Sequence, residues 1–277
     1  KSVTAHSIIR LIPDPPGKIE SGEILFDGTK LLDFSEFQMR KIRGNRISMI
    51  FQEPMTSLNP VFPVGDQVGE VIRLHQKLSR SATRERVIEM FQHVGIPAAD
   101  KRLSDYPHQM SGGMRQRVMI AMALACNPKL MIADEPTTAL DVTIQAQILD
   151  LMNKLKDETG AAILFITHDL GVIAEMAQNV AVMYAGKVME YTDVKTIYAN
   201  PKNPYTIGLL QSIPVLGRET KEGRLKTISG VVPSLLNLPT GCLYNDRCPD
   251  VFNDCHHVEP GMYQLAENHY VRCLKYA

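Results

Sequence analysis

The sequence predicts an α/β protein with a parallel central sheet, and two apolar runs carry this prediction. Leu130–Asp134 is apolar until it ends in two adjacent carboxylates, Asp134 and Glu135. Ala161–Thr167 is a second apolar run, and His168 follows it directly. Buried parallel strands have this character, and their carboxyl ends face the crevice in which ligands bind. Both runs therefore predict strands that deliver polar side chains to one edge of a sheet.

Two further strand regions are predicted nearer the start of the chain. Gly22–Leu32 contains the dipeptide Asp27-Gly28 between two short strand-like runs, which is typical of a hairpin turn. Ile47–Phe51 is apolar and predicts another strand, and Gln52 follows it at once. On its own, Gln52 would be interpreted as the polar end of a strand.

The region from about residue 60 to residue 126 is predicted to be helical. Val64–Leu78 and Ser81–Val94 have apolar residues at three-to-four spacing, with Ser81 as the expected N-cap. A later helix is predicted over Val142–Asp157, where Asp141 stands at the N-cap position.

A further strand pair and an irregular tail are predicted after these helices. Val180–Tyr184 and Lys187–Tyr191 flank Ala185-Gly186 and predict two paired strands. Beyond Tyr191, repeated prolines interrupt regular structure. We therefore expect the end of the chain to form an extension.

The composition restricts the class of protein. The chain has 277 residues, of which 44% are hydrophobic, and this is enough for a full core. Its 30 basic and 30 acidic residues give a net charge of zero, which argues against a nucleic-acid polycation. The longest apolar run, Val118–Cys126, is shorter than the ~20 residues that span a bilayer. We expect a chain that is soluble or only peripherally attached to a membrane.

Two motifs indicate nucleotide chemistry. Ser111-Gly112-Gly113 stands at the start of a predicted helix, where free N–H groups and the helix dipole favour an anion. At the end of the Leu130 strand, Asp134 could hold Mg²⁺ while Glu135 orients a water molecule. Each motif alone is weak, but together with His168 they predict nucleotide hydrolysis.

With these motifs, the chain resembles the ATP-binding-cassette (ABC) ATPases, and more narrowly the ATP-binding subunits of bacterial dipeptide/oligopeptide importers. The resemblance runs from Lys1 to the cysteine-rich tail. It implies a P-loop NTPase with a RecA-like core, a helical subdomain, an antiparallel β subdomain and a small Cys-rich C-terminal extension. The expected domains are a nucleotide-binding domain over residues 1–195, with the helical subdomain at about 60–126, and an extension over residues 196–277.

The first residues resemble the end of a phosphate-binding loop, Gly-x-x-x-x-Gly-Lys-Ser/Thr. The resemblance implies that Lys1, Ser2 and Val3 contact ATP, with Lys1 at the β/γ-phosphates and the Ser2 hydroxyl on Mg²⁺. We therefore expect the sequence to be a fragment of a longer gene product that begins within this Walker A motif.

The resemblance also assigns catalytic and metal-binding roles at the sheet edge. Gln52, Glu135 and His168 are the expected catalytic residues, and all three are expected to contact ATP. Glu135 would polarise the attacking water and His168 would stabilise the γ-phosphate. Mg²⁺ would be held by Ser2, Gln52 and Asp134. The alternative for His168 is an ordinary structural histidine.

The resemblance implies a second ATP-binding surface, because in the family's architecture the glycine-rich signature cannot fold back to the site that contains Lys1 and Asp134. Ser111, Gly112, Gly113 and Asp141 would cap a nucleotide that is bound to a partner ATPase. The family usually carries Leu-Ser-Gly-Gly-Gln, whereas Met110 and Met114 stand at the flanking positions here. The Ser-Gly-Gly core is intact, so the phosphate contact is still expected.

Four of the five cysteines lie in the tail, at Cys242, Cys248, Cys255 and Cys273. Clustered cysteines in a cytosolic ATPase indicate metal ligands rather than disulfides. The spacing matches neither a paired C-x-x-C zinc ribbon nor a ferredoxin run. The family resemblance implies a [4Fe–4S] cluster. Zinc, with His256 or His257 as a substitute ligand, and unligated reduced thiols are the alternatives.

The partners implied by the resemblance are those of an importer. They are a second homologous ATPase subunit in a heterodimer, two transmembrane permease subunits and an extracytoplasmic peptide-binding protein, without nucleic acid. The chain would sit peripherally on the cytoplasmic face of the cell (inner) membrane. The segment Gly241–Pro249 favours the dipeptide type.

Three other functions stay open. One is import of nickel or another small solute by the same subfamily. A soluble ABC ATPase of repair or translation is another, although the tandem cassettes or nucleic-acid-binding insert expected there do not appear in the sequence. The third makes the tail a metal-dependent interaction or redox-sensing module, with the cassette as its scaffold.

Overall fold

The computed structural model describes residues 1–52, 57–138, 140–213 and 227–277. The chain forms two compact units, Lys1–His168 and Asp169–Ala277. Among the described residues, no helix combines the length and the apolar character that crossing a bilayer requires.

The first unit combines a parallel sheet with helices. In chain order its described elements are α1 (Ser2–Ile8), β1 (Leu25–Phe26), β2 (Thr29–Lys30), α2 (Glu36–Ile42), β3 (Ile47–Ile50), α3 (Val64–Gln76), α4 (Arg80–His93), α5 (Ala99–Arg102), α6 (Gly112–Leu124), β4 (Leu130–Asp134), α7 (Val142–Thr159) and β5 (Ala162–Ile166). The hairpin predicted around Asp27-Gly28 is formed by β1 and β2, which pair antiparallel.

The parallel sheet has the order β3-β4-β5, so β4 is its central strand. Ile50 pairs with Ala133, and Asp134 pairs with Ile166. From Met131 to Asp134 every residue of β4 is buried, because both of its edges are paired and both of its faces are covered. All three strands end at the same edge, and the residues that follow them emerge side by side.

Four helices of the first unit, α2, α4, α6 and α7, begin at side-chain caps. Asp141 caps α7 by accepting a hydrogen bond from the N–H of Ile144, as predicted from its position. The prediction that Ser81 caps α4 was wrong. The cap is Ser79, whose backbone is extended and whose hydroxyl accepts from the N–H of Ala82, while Ser81 lies inside the first turn.

One hydrophobic core cluster of the first unit lies between the sheet and the elements near the N-terminus. It joins buried apolar side chains from α1, α2, β3, β4 and β5, including Ala5, Met39, Ile47, Ile132 and Ile166. This packing places the start of α1 against β4, at the edge where the strands end.

The second unit is built on an antiparallel sheet. Its described elements are α8 (Leu170–Met176), β6 (Asn179–Tyr184), β7 (Lys187–Asp193), α9 (Val194–Ala199), α10 (Pro204–Gln211), β8 (Tyr263–Ala266) and β9 (His269–Val271). The predicted strand pair corresponds to β6 and β7, and both Ala185 and Gly186 have positive φ, as a two-residue hairpin turn requires.

The end of the chain returns to this sheet, whose order is β6-β7-β9-β8. Glu190 of β7 lies opposite Val271 of β9. Glu190 is fully buried and accepts hydrogen bonds from the N–H groups of Lys202 and Asn203. The ring of His269 lies 2.7 Å from the same carboxylate. The tail is therefore tied to the sheet by strand pairing and by a buried polar network.

Candidate functional site

Glu135 occupies the centre of the site at the edge of the parallel sheet. Its φ is 49°, in the left-handed region that a non-glycine residue rarely adopts. The N–H of Glu135 donates to the carbonyl of Ile166 at 2.8 Å, which fixes the backbone against the end of β5. This backbone conformation directs the chain out of the strand and keeps Glu135 at the edge of the sheet.

Both oxygens of the Glu135 carboxylate have partners. Nδ1 of His168 lies 3.0 Å from Oε1. Gln52 donates from Nε2 to Oε2 at 3.0 Å, and the Thr138 hydroxyl donates to the same oxygen at 3.0 Å. Gln52 and His168 follow different strands, so the structure brings together the three residues that sequence analysis singled out as catalytic.

The charge of Glu135 is set by opposing influences. Partial burial alone would raise the pKa of its carboxyl, but hydrogen bonds from His168 and Thr138, together with the charges of His168 and Lys1, lower the pKa overall. The side chain is therefore an ionised carboxylate at neutral pH. It can attract a positively polarised hydrogen of a water molecule.

Asp134 precedes Glu135 and is only 2% exposed. Its Oδ1 is buried and has no hydrogen-bond partner. Leaving a carboxylate oxygen in this state is costly unless a cation or donor completes it. Carboxylate, amide and hydroxyl oxygens are the ligands that Mg²⁺ prefers, so Asp134 fits a role as a Mg²⁺ ligand, and the Gln52 and Ser2 side chains offer the same kind of oxygen.

The start of the chain reaches the same edge. Lys1 donates from Nζ to the carbonyl of Thr167 at 2.8 Å. Ser2 begins α1, and Val3 on that helix is 67% exposed. Lys1 is therefore near the Glu135 group, and Ser2 follows it at the helix N-terminus.

The residues predicted to cap a partner's nucleotide form a second group in this unit. Ser111 caps α6 by accepting from the N–H of Met114. A Cβ on Gly113 would lie 2.8 Å from Cγ2 of Ile144, so only glycine permits this approach of α6 to the first turn of α7. Because Asp141 caps α7, this packing brings the Ser-Gly-Gly motif and Asp141 to one place.

The second unit contains the cysteine site. Cys242, Cys248, Cys255 and Cys273 are free thiols that line one cavity of about 20 Å³. A Cβ on Gly241 would lie 2.4 Å from the Cys255 carbonyl, so glycine is required where these two segments meet. The four cysteines are therefore gathered from distant positions in the tail.

Three of these thiols, those of Cys242, Cys248 and Cys273, are protonated at neutral pH. Burial raises the pKa of Cys242 and Cys273, and it raises the pKa of Cys248 to about 11. Within the described ranges, no three His, Cys, Asp or Glu side chains are arranged to hold a metal ion. The predicted substitute ligands His256 and His257 are exposed. The described arrangement is therefore preformed neither for a tetrahedral zinc site, in which sulfur lies about 2.3 Å from the metal, nor for an iron–sulfur cluster.

Sequence analysis missed Thr138. Its N–H donates to the Glu135 carbonyl at 3.2 Å, in addition to the hydroxyl contact with the carboxylate. The sequence shows a hydroxyl side chain three residues after Glu135, but that spacing alone does not predict a contact with the carboxylate.

Comparisons with known proteins identify the family. Residues 1–138 match the family model described as ABC transporter, and residues 189–255 match the Oligopeptide/dipeptide transporter, C-terminal region. A putative peptide import ATP-binding protein of Brucella ovis is 53% identical, over 100% of this chain and 84% of that protein. The oligopeptide transport ATP-binding protein OppD of Bacillus subtilis is 52% identical, over 98% of this chain and 76% of OppD. The dipeptide transport ATP-binding protein DppD of the same organism is 50% identical, over 99% of this chain and 81% of DppD.

Solved structures agree in fold. The ATP-binding cassette MJ0796, a dimer in a post-hydrolysis state bound to ADP and Pi, has a TM-score of 0.61 and 29% identity, over 70% of this chain and 80% of that one. The protein cbiO1 of Clostridium perfringens, part of the cbiONQ transporter complex, has a TM-score of 0.59 and 29% identity, over 72% of this chain and 74% of cbiO1. The predicted P-loop NTPase fold is confirmed, and the chain belongs to the ABC transporter ATPases that carry an oligopeptide/dipeptide transporter C-terminal region, with ATP and Mg²⁺ as the cofactors of its reaction.

Proposed function

We propose that this chain is the ATP-hydrolysing subunit of an ABC importer that energises the uptake of dipeptides or oligopeptides across the bacterial cytoplasmic membrane. The observation that carries the proposal is the Glu135 carboxylate, held by Gln52 and His168 from neighbouring strand ends. The match of residues 189–255 to the peptide-transporter region and the names of the relatives support peptides as the cargo.

In this proposal the residues of the sheet edge bind and hydrolyse ATP. Lys1, Ser2 and Val3 contact the nucleotide, and Asp134, with Gln52 and Ser2, holds Mg²⁺. The metal neutralises charge on the phosphates when it is bound. These assignments draw support from the orphaned, buried oxygen of Asp134 and from the position of Lys1 at the end of β5.

Glu135 orients and polarises the attacking water. Because its pKa is lowered, the carboxylate is a weak base, and electrostatic alignment suits it better than full removal of a proton. Gln52 would contact the water and help to hold Mg²⁺, and His168 would donate to the γ-phosphate as negative charge develops there.

The second face acts on a nucleotide held by a partner. Ser111, Gly112, Gly113 and Asp141 cap the triphosphate bound to a second, homologous ATPase subunit in a heterodimer. Supporting this, the N-terminus of α6 presents free N–H groups, and the similar cassette MJ0796 is described as a dimer in two solved structures. Two permease subunits and an extracytoplasmic peptide-binding protein complete the transporter, with this chain on the cytoplasmic face of the membrane. The nucleotide-binding domain covers residues 1–195, and the importer extension covers residues 196–277.

Uptake by the reconstituted transporter tests this function. Proteoliposomes containing all subunits, with ATP on the side of the ATPases, are offered a labelled dipeptide, a labelled pentapeptide and Ni²⁺ in parallel. We expect ATP-dependent accumulation of peptide, and none in the Glu135→Gln variant. Accumulation of Ni²⁺ without peptide would show that the chain energises the import of a small solute instead. The absence of any uptake, with intact ATPase activity, would contradict the proposal that the chain belongs to an importer.

For the tail, we propose that Cys242, Cys248, Cys255 and Cys273 bind a [4Fe–4S] cluster, which would supply a redox-active centre. The support is that four thiols, the ligand set of such clusters, line one cavity. The volume of about 20 Å³ means that the side chains must move apart to admit a cluster. Anaerobic purification with iron, sulfide and zinc analysis distinguishes the cluster from zinc and from reduced thiols.

A further inference from the structure

Thr138 holds Glu135 in two ways. Its hydroxyl donates to Oε2 of the carboxylate at 3.0 Å, and its N–H donates to the Glu135 carbonyl at 3.2 Å. A single residue thus fixes both the main chain and the side chain of the proposed catalytic glutamate.

The three partners of the Glu135 carboxylate differ in how they are connected to it. Gln52 lies 83 positions away in sequence, after β3, and His168 lies 33 positions away, after β5. Thr138 lies three positions away, within the same turn. The contacts of Gln52 and His168 therefore come from other segments of the chain, whereas the contact with Thr138 is local.

The proposed reaction requires the two distant partners to turn away from the carboxylate. Gln52 would contact Mg²⁺ and the water, and His168 would contact the γ-phosphate. Each movement removes one hydrogen bond from the carboxylate and leaves Thr138 as its remaining partner among the three. Because the lone pairs of Oε1 are then free, the water can bind there while Oε2 stays fixed.

We propose that Thr138 is a positioning residue of ATP hydrolysis: its hydroxyl keeps the Glu135 carboxylate aimed at the water while Gln52 and His168 engage the nucleotide. This inference rests on the role of Glu135 in the proposed function. Thr138 acts through Glu135 and needs no contact with ATP, so it should affect the chemical step and not nucleotide affinity.

The test compares Thr138→Val, Thr138→Ala and Thr138→Ser in the complete transporter. Valine keeps the branched shape without the hydroxyl, alanine removes both, and serine keeps the hydroxyl. A hydrogen bond to a charged group contributes enough that the hydroxyl-free variants should lose about ten- to a hundredfold in kcat, with KM for ATP within about twofold. Serine should restore kcat to within about threefold of the wild type. Thr29→Val, on the exposed hairpin strand β2, is the matched control.

Several outcomes would overturn the inference. Hydroxyl-free variants with wild-type kcat would do so, as would an equal loss in Thr138→Ser, which would indicate a packing role. A raised KM with unchanged kcat would indicate nucleotide binding instead. Glu135→Gln, prepared in parallel, distinguishes failure of the proposed function from failure of the role of Thr138. Near-normal turnover in Glu135→Gln would refute the proposed function. An inactive Glu135→Gln beside a fully active Thr138→Val would refute only the role of Thr138.

Discussion

Glu135 combines a fixed position with a negative charge. The backbone N–H donates to the end of β5 and the Thr138 hydroxyl donates to the carboxylate, so Glu135 itself need not be repositioned when Gln52 and His168 turn to the nucleotide and a water molecule arrives. Its lowered pKa keeps it ionised at neutral pH. These two properties explain why a carboxylate at this position can act by alignment and electrostatics.

We predict that Glu135→Gln lowers kcat for ATP by about 10²- to 10⁴-fold, the range that a positioned acid–base group contributes. Glutamine keeps the size of the side chain but removes its charge, and the amide can still be held at the sheet edge. ATP binding should therefore persist. Steady-state ATPase assays and equilibrium binding of labelled ATP measure the two quantities. Glu175→Gln, an exposed glutamate on α8, is the control and should leave both unchanged.

The sequence predicted the residues of the site better than it predicted the contacts between them. Gln52, Glu135 and His168 could be found because each follows an apolar strand run. Thr138 could not be found in this way, because its role depends on a turn in which Glu135 has a positive φ. No local sequence pattern predicts that conformation for a glutamate.

Among the elements, the contact between α6 and α7 is the most tightly constrained. Gly112 and Gly113 stand in the first turn of α6, and their surroundings differ. A Cβ on Gly113 would meet Ile144 at 2.8 Å, whereas a Cβ on Gly112 would meet only Leu140, at 3.6 Å. The second distance is an ordinary van der Waals contact.

We predict that Gly113→Ala destabilises the protein by about 1–3 kcal/mol, the usual cost of overpacking. Gly112→Ala, the matched control, should change the free energy of unfolding by less than about 1 kcal/mol, since alanine also favours the helix. Denaturant unfolding of both variants measures the difference. Equal destabilisation of the two would mean that α6 does not approach Ile144 as described.

The elements that sequence patterns missed are those that depend on distant pairing. The predicted strands and helices of the first unit follow local periodicity and capping, with Ser79 in place of Ser81 as the one corrected cap. In contrast, β9 joins the sheet through β7, which is distant in sequence. Its short run of three residues carries too little periodicity to predict the pairing.

In the whole molecule, two different surfaces of the cassette would serve two different nucleotides. The Asp134–Glu135 edge would serve the ATP bound by this chain. The Ser111–Gly113 motif, with Asp141, would serve the ATP of the partner. Under this division, the free N–H groups at the start of α6 serve a different nucleotide from the one bound at the sheet edge. Hydrolysis therefore depends on the assembly of the two ATPase subunits.

The most direct test is a structure of the complete transporter carrying Glu135→Gln, loaded with ATP and Mg²⁺. We expect Asp134 at the metal of one nucleotide and the N–H groups beginning at Gly112 within hydrogen-bond distance of a phosphate on the partner's nucleotide. Ser111 and Gly112 turned away from every phosphate, in a complex with ATP bound at Asp134, would contradict it.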